Sequence, residues 1–192
     1  MKKLGLGILG SGKGSNCRAI LEQISAGKLL AEVRLVVSDV FDAGILDIAR
    51  EFRVPNIYLP AGNFRTRLEP KVEMELVRLL QEAEVELVVL AGFMRVLKEP
   101  MLAAFPRRII NIHPSLLPKF PGIEAWKQAL EAGEKITGCS VHYVDAGIDS
   151  GEIIAQRKVA LVPGETPESL HERIQIAERA LYPEVIAKFC EA

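Results

Sequence analysis

Asn111 and His113 stand two residues apart in Ile110-Asn111-Ile112-His113-Pro114-Ser115-Leu116-Leu117-Pro118, at the end of an apolar segment. In a strand, alternate side chains share a face, so the amide and the imidazole point one way while Ile110 and Ile112 point into packing. A hydrogen-bond donor beside a titratable group suits acyl transfer, which needs an oxyanion held and a proton moved. Pro114 has no N–H and ends the ladder, placing the pair at a strand end, where α/β enzymes bind ligands. The bland alternative is a core histidine bonded to backbone. Asn111 on the same face and the proline-rich turn that follows favour function.

A second candidate is the loop from Gly10 to Asn16, which runs from an apolar segment into a predicted helix. Backbone N–H groups at a helix start are unpaired and its dipole favours an anion, so Gly12 and Gly14 would let a phosphate approach. A plain tight turn with Ser15 or Asn16 as N-cap uses the same residue types. Two more familiar patterns fail here. Gly5, Gly7 and Gly10 spell GxGxxG, but inside the predicted strand, whereas a dinucleotide fingerprint follows the strand. Gly7 to Lys13 resembles a Walker A loop, yet Gly14 sits where a Ser or Thr should hold magnesium. Asp145 and Asp149 lie in one turn-rich connection, and either could orient His113 and raise its pKa by favouring the charged form. Both are also ordinary turn formers. His142, two residues from Ser140, either supports the site from behind or is packed in the core. Glu178 and Arg179 read by default as a solvated helix face.

The elements that must position these groups follow from periodicity. Leu4 to Leu9, Val33 to Val37, Pro55 to Leu59, Val85 to Ala91 and Arg108 to His113 are short apolar runs, predicted as strands. Helical spacing lies between them: Ile20, Leu21 and Ile24; Ile45, Leu46, Ile48 and Ala49; Val72, Leu76, Leu79 and Ala83. Thr66 with Glu69 is a possible capping box for the third of these helices. Ala125 to Leu130 is predicted helical, and Ile136 to Val144 and Glu152 to Val162 are two adjacent strands. Thr166-Pro167 opens a last helix whose buried face is Leu170, Ile174, Ala177 and Leu181, with Pro183 expected to kink or interrupt it. The pattern is an α/β, Rossmann-like fold: a mostly parallel twisted sheet with helices on both faces and an antiparallel C-terminal addition. One domain over 1–192 is expected, with a phosphate-binding half at about 1–100 and a catalytic half at about 101–192.

Composition excludes several classes. The 192 residues are 49% hydrophobic and 26% charged, as in an ordinary globular protein with a substantial core. A formal net charge of −1 gives no global field for nucleic acid, so any anion must be held locally. Cys17, Cys139 and Cys190 are odd in number and widely spaced, without CxxC. They suggest neither disulfides nor zinc, and point to a cytoplasmic protein. The apolar run after Met1-Lys2-Lys3 is too short for a signal peptide and leads into a polar loop, and no run is long enough to span a membrane.

Asn111 to Pro118 with Asp149-Ser150-Gly151 downstream resembles the folate-dependent formyltransferases. Ser11 to Asn16 narrows the resemblance to the phosphoribosylglycinamide (GAR) formyltransferases of purine synthesis. Ala91 to Arg95, Gly138 to His142 and Glu178 to Pro183 extend it over essentially the whole chain. The resemblance implies 10-formyltetrahydrofolate as cosubstrate, GAR as acceptor, no metal, and no partner beyond small molecules and a monomer or homodimer. It implies that Asn111, His113 and Asp149 form the catalytic group. Gly14, Ser15 and Asn16 would bind the GAR phosphate, and Glu178 would approach the glycinamide end. Arg67, or its neighbour Arg65, would contact folate, with Met94, Arg95, Val96, Leu97 and Asn111 lining that pocket. A cis peptide between Leu117 and Pro118 is also implied. Glu124 and Trp126 stand where relatives often carry histidine or other polar residues.

The reaction so implied is attack of the GAR amine on the formyl carbon. Asn111 would donate to the oxyanion, protonated His113 would add charge stabilisation and move a proton to the departing folate nitrogen, and Asp149 would hold the ring. Rival readings are a formyl-folate hydrolase, a formyl transferase acting on initiator transfer RNA, which would favour a basic extension that this chain lacks, and a non-catalytic phosphate-binding module.

Overall fold

The computed structural model describes residues 2–191. Six helices and seven strands follow one another as β1 (Leu4–Leu9), α1 (Ser15–Ser25), β2 (Ala31–Ser38), α2 (Gly44–Glu51), β3 (Asn56–Tyr58), α3 (Pro70–Glu82), β4 (Leu87–Leu90), α4 (Glu99–Ala104), β5 (Ile109–His113), α5 (Ala125–Glu131), β6 (Ile136–Tyr143), β7 (Ile153–Ala160) and α6 (Pro167–Cys190). They form one sheet in the order β3-β2-β1-β4-β5-β6-β7. The first five strands in chain order pair in parallel; β5–β6 and β6–β7 are antiparallel. This is the expected mostly parallel sheet with an antiparallel addition. Chain order reverses across β1 and β4, which creates a crevice beyond their C-terminal ends.

The alternation of side chains along each strand feeds two cores. Leu6, Ile8, Leu87, Val89, Ile110 and Ile112 pack with α1, α2 and α6 on one face. Leu9, Val37, Val88, Leu90 and Ile109 pack with α3 and α4 on the other. Ile110 and Ile112 therefore anchor β5 to the α6 side, and Asn111 and His113 point the opposite way, as their spacing requires.

Three local expectations are corrected. Thr66 caps no helix: α3 starts at Pro70 with Glu69 at its N-cap and no side-chain cap bond. The Glu69 carboxylate instead accepts from the Asn63 backbone and amide, at 2.8 and 2.6 Å. Neither Ser15 nor Asn16 caps α1, because Gly14 occupies the N-cap in the left-handed region, φ 78°. Finally, Pro183 does not interrupt α6, which continues as helix to Cys190. The missing hydrogen bond and ring clash cost about 3 kcal/mol. Val185 and Ile186, fully buried beyond the proline, are worth roughly 1.5–3 kcal/mol each. Tyr182 adds an anchor, its hydroxyl reaching the Leu90 and Ile110 carbonyls at 2.9 and 3.0 Å. The short α4 was not expected from the sequence.

Candidate active site

Antiparallel pairing sets Asn111 opposite His142 and His113 opposite Ser140. The four side chains thus share one face of β5 and β6, and Asp149 reaches over them from the β6–β7 connection. His113 Nδ1 lies 3.3 Å from Asp149 Oδ2, and the Asn111 amide donates to Asp149 Oδ1 over 3.4 Å. Gly122 N–H donates to Asp149 Oδ2 at 2.8 Å. Asp145 is spent on its own turn, accepting from Gly147 N–H and the Ser150 hydroxyl at 3.0 and 2.7 Å. The choice that spacing left open therefore falls on Asp149.

His142 is the residue sequence reasoning left undecided. Its Nδ1 sits 2.8 Å from the Tyr143 carbonyl, so that nitrogen carries a proton. Nε2 lies 3.1 Å from the Asn111 amide nitrogen. His142 and Asp149 together orient the amide. The contact to Asp149 is the longer of the two, so its N–H is the one available to an incoming substrate oxygen. The signal was present in the sequence: Ser140 and His142 have the same two-residue spacing as Asn111 and His113.

The electrostatics of His113 depart from expectation. Burial pulls its imidazole below the ordinary range, and the neighbouring Asp149 carboxylate and the Phe120 carbonyl only partly oppose this. The net effect is downward, so the free site does not carry the expected standing positive charge. For Asp149, burial alone would raise the carboxyl. Contact with His142, the charge of His113 and the Gly122 N–H outweigh it and leave the group below the ordinary carboxylate range. His113 Nε2 also lies 2.8 Å from the Phe120 carbonyl. Each ring nitrogen therefore faces an oxygen. A neutral ring can donate to only one of them; an imidazolium satisfies both. Burial and geometry pull in opposite directions, and the net direction is downward.

The glycine loop sits at the end of β1. A Cβ on Gly14 would fall 2.7 Å from the Ile45 backbone, so both its φ and its packing require glycine. With no side-chain cap, the first-turn N–H groups of α1 stay open to an anion. The Asn16 amide donates to Glu178 Oε2 at 3.0 Å and ties α1 to α6, while Asn16 Oδ1 is buried without a partner among the described residues. Glu178 is buried, not on a solvated face, and burial pushes its carboxyl up to about 7 against the Asn16 hydrogen bond and the Arg179 charge.

The residues expected to line the folate pocket separate into two groups. Met94 is 65% exposed and Val96 half-buried, while Leu97 is 1% exposed and belongs to the α3–α4 core. The Leu97 side chain thus faces the core, not the pocket. The Arg95 guanidinium is committed to Asp39 at 2.6 Å and to the Phe64 and Arg65 carbonyls, so it is not free for a carboxylate. Arg67 lies over the Phe64 ring at 4.1 Å and pairs with Val96 as an isolated bridge. Exposed Phe64 and Met94 with the Arg67 cation offer an apolar surface beside a positive charge, which suits an aromatic ring bearing carboxylates. The Leu117–Pro118 peptide is cis. Among the described residues no group of three or more His, Cys, Asp or Glu could hold a metal ion, and no helix is long and apolar enough to cross a membrane.

Comparison with known proteins gives a consistent result. Residues 6–186 match a family described as formyl transferase. The phosphoribosylglycinamide formyltransferase of Bacillus subtilis (strain 168) is 39% identical, over 97% of this chain and 93% of that protein. The trifunctional purine biosynthetic protein adenosine-3 of Drosophila pseudoobscura pseudoobscura is 46% identical over 94% of this chain, which spans only 13% of that larger protein. The crystal structure of glycinamide ribonucleotide transformylase 1 from Symbiobacterium toebii superposes with a TM-score of 0.94 at 45% identity, covering 99% of this chain and 89% of that one.

Proposed function

Because the chain belongs to the formyl transferase family, and within it to the phosphoribosylglycinamide formyltransferases, we propose that it moves the formyl group of 10-formyltetrahydrofolate to the amino group of GAR. The products are N-formyl-GAR and tetrahydrofolate. The observation that carries this reading at the level of residues is Asp149 touching both Asn111 and His113 at the end of β5. The glycine loop, with Gly14, Ser15 and Asn16, supports it by offering a phosphate anchor, and Glu178 stands beside that anchor. Met94 and Val96, with Arg67, form the folate side, where the cosubstrate supplies the formyl carbon.

Asn111 donates its less committed N–H to the oxygen that gains charge when the amine attacks. One such donor is typically worth about 3 kcal/mol of barrier. His113, largely neutral beforehand, accepts the amine proton as positive charge develops and returns it to the departing folate nitrogen. Asp149 stabilises the imidazolium in between and holds the ring's orientation. For Nε2 to carry that proton, the Phe120 carbonyl must give up its contact. We further propose a cytoplasmic enzyme, monomeric or homodimeric, whose near-zero net charge gives no field for nucleic acid.

Measuring tetrahydrofolate release from 10-formyltetrahydrofolate with and without GAR tests the reading. Release that depends on GAR, with one N-formyl product per turnover, is expected. Equal release without GAR would instead identify a formyl-folate hydrolase.

A further inference from the structure

Asp39 follows the last residue of β2 and belongs to neither substrate region, yet its carboxylate joins both. Oδ1 accepts from the Ser11 hydroxyl at 2.5 Å, and Oδ2 accepts from Arg95 Nε at 2.6 Å. The Ser11 hydroxyl oxygen accepts in turn from the Met94 N–H at 2.9 Å, and Ser11 N–H donates to the Gly92 carbonyl at 3.0 Å. Arg95 then reaches the Phe64 and Arg65 carbonyls in the β3–α3 loop. Thr66 holds the same two loops together by accepting from Val96 N–H at 2.9 Å. The result is a closed ring across the C-terminal ends of β2, β1 and β4, the adjacent strands that form the crevice. The Asp39 side chain is 2% exposed and that of Arg95 20%, so water competes poorly for either partner.

We propose that Asp39 is a positioning residue that couples the phosphate-binding loop to the folate-binding loop. The proposal rests on the reading that GAR and 10-formyltetrahydrofolate occupy these two loops. Ser11 stands three residues before Gly14 and sets where the glycine loop leaves β1. Met94 to Val96, and through Arg95 the Phe64–Arg67 stretch, form the folate side. One carboxylate fixes the separation between the amine end of one substrate and the formyl end of the other. Such a link acts on both affinities, since a coupling free energy is reciprocal. It leaves the chemistry at Asn111, His113 and Asp149 untouched.

Steady-state kinetics of Asp39→Asn and Ser11→Ala test this, with both substrates varied. Asp39→Asn removes the ion pair and should raise KM for GAR and for 10-formyltetrahydrofolate together, by about fivefold to tenfold, the size expected for one lost charge-assisted hydrogen bond. The kcat value and its pH profile should stay within about threefold of the parent. Ser11→Ala, a milder change in the glycine loop alone, should still raise KM for 10-formyltetrahydrofolate. A merely structural role would lower the melting temperature of Asp39→Asn with both KM values unchanged, and would overturn the proposal. So would a Ser11→Ala effect confined to GAR. Unaltered protein that shows no GAR-dependent transfer would sink the functional reading itself, a result distinct from either of these.

Discussion

Two aspartates hold the crevice and the catalytic face together, and their partners differ in kind. Asp39 is held by a hydroxyl and a guanidinium, neither of which exchanges its charge near neutral pH. Asp149 is held by the His113 imidazole, an amide and a backbone N–H, with His142 Nε2 3.5 Å away. The first set is closed and directional, and it fixes where backbone segments lie. The second contains groups whose protons can move, buried at the end of a strand. The same carboxylate thus serves position in one place and chemistry in the other, and the difference lies in what surrounds it.

The largest expected effect falls on the second set. Asp149→Ala removes the group that stabilises protonated His113 and orients Asn111. It should cut kcat by roughly a hundredfold to a thousandfold, with the melting temperature shifted by only a few degrees. Asp39→Asn should do the reverse, moving KM and sparing kcat. If both variants lost kcat equally, the distinction between the two regions would collapse.

A smaller effect is expected at the phosphate loop. Gly14→Ala meets both a left-handed φ of 78° and the Ile45 backbone at 2.7 Å. The backbone strain alone costs about 1–2 kcal/mol. Thermal melts should show that loss, and the GAR KM should rise about tenfold as the α1 N–H groups turn away from the phosphate. An unchanged GAR KM in a destabilised protein would show that the loop is only a turn.

The smallest effect is one of pH. Glu178 is pushed up to about 7, so the folded chain binds its proton more tightly than the unfolded chain does. That contribution to stability is present in full below the ordinary glutamate range and is lost as pH rises to about 7. Glu178→Gln removes the dependence. Urea unfolding of both proteins should show the difference moving in favour of the variant from about pH 5 to about pH 8. A constant difference would mean that Glu178 is ionised throughout.

The strands and the catalytic face were legible because Ile110 and Ile112 alternate with Asn111 and His113 along β5, which sets the apolar and the polar pair on opposite faces. Asp149 could not be separated from Asp145 by spacing, since the decision depends on which carboxylate its own turn consumes. The commitment of the Arg95 guanidinium was hidden for a related reason: its partner Asp39 is 56 residues away. The Thr66 capping box matched a pattern that Asn63 outcompetes, and α4, only six residues long, carries too little periodicity to announce itself. The direction of the His113 shift depended on burial, which no motif encodes.

The central claim is that His113, backed by Asp149, moves the proton during formyl transfer to GAR. Single-turnover formyl transfer by His113→Ala, measured beside the unaltered protein at saturating GAR and 10-formyltetrahydrofolate, tests it most directly. The account predicts a transfer rate reduced by about a hundredfold or more, with the fold retained and GAR still bound. Transfer at a near-normal rate would contradict it.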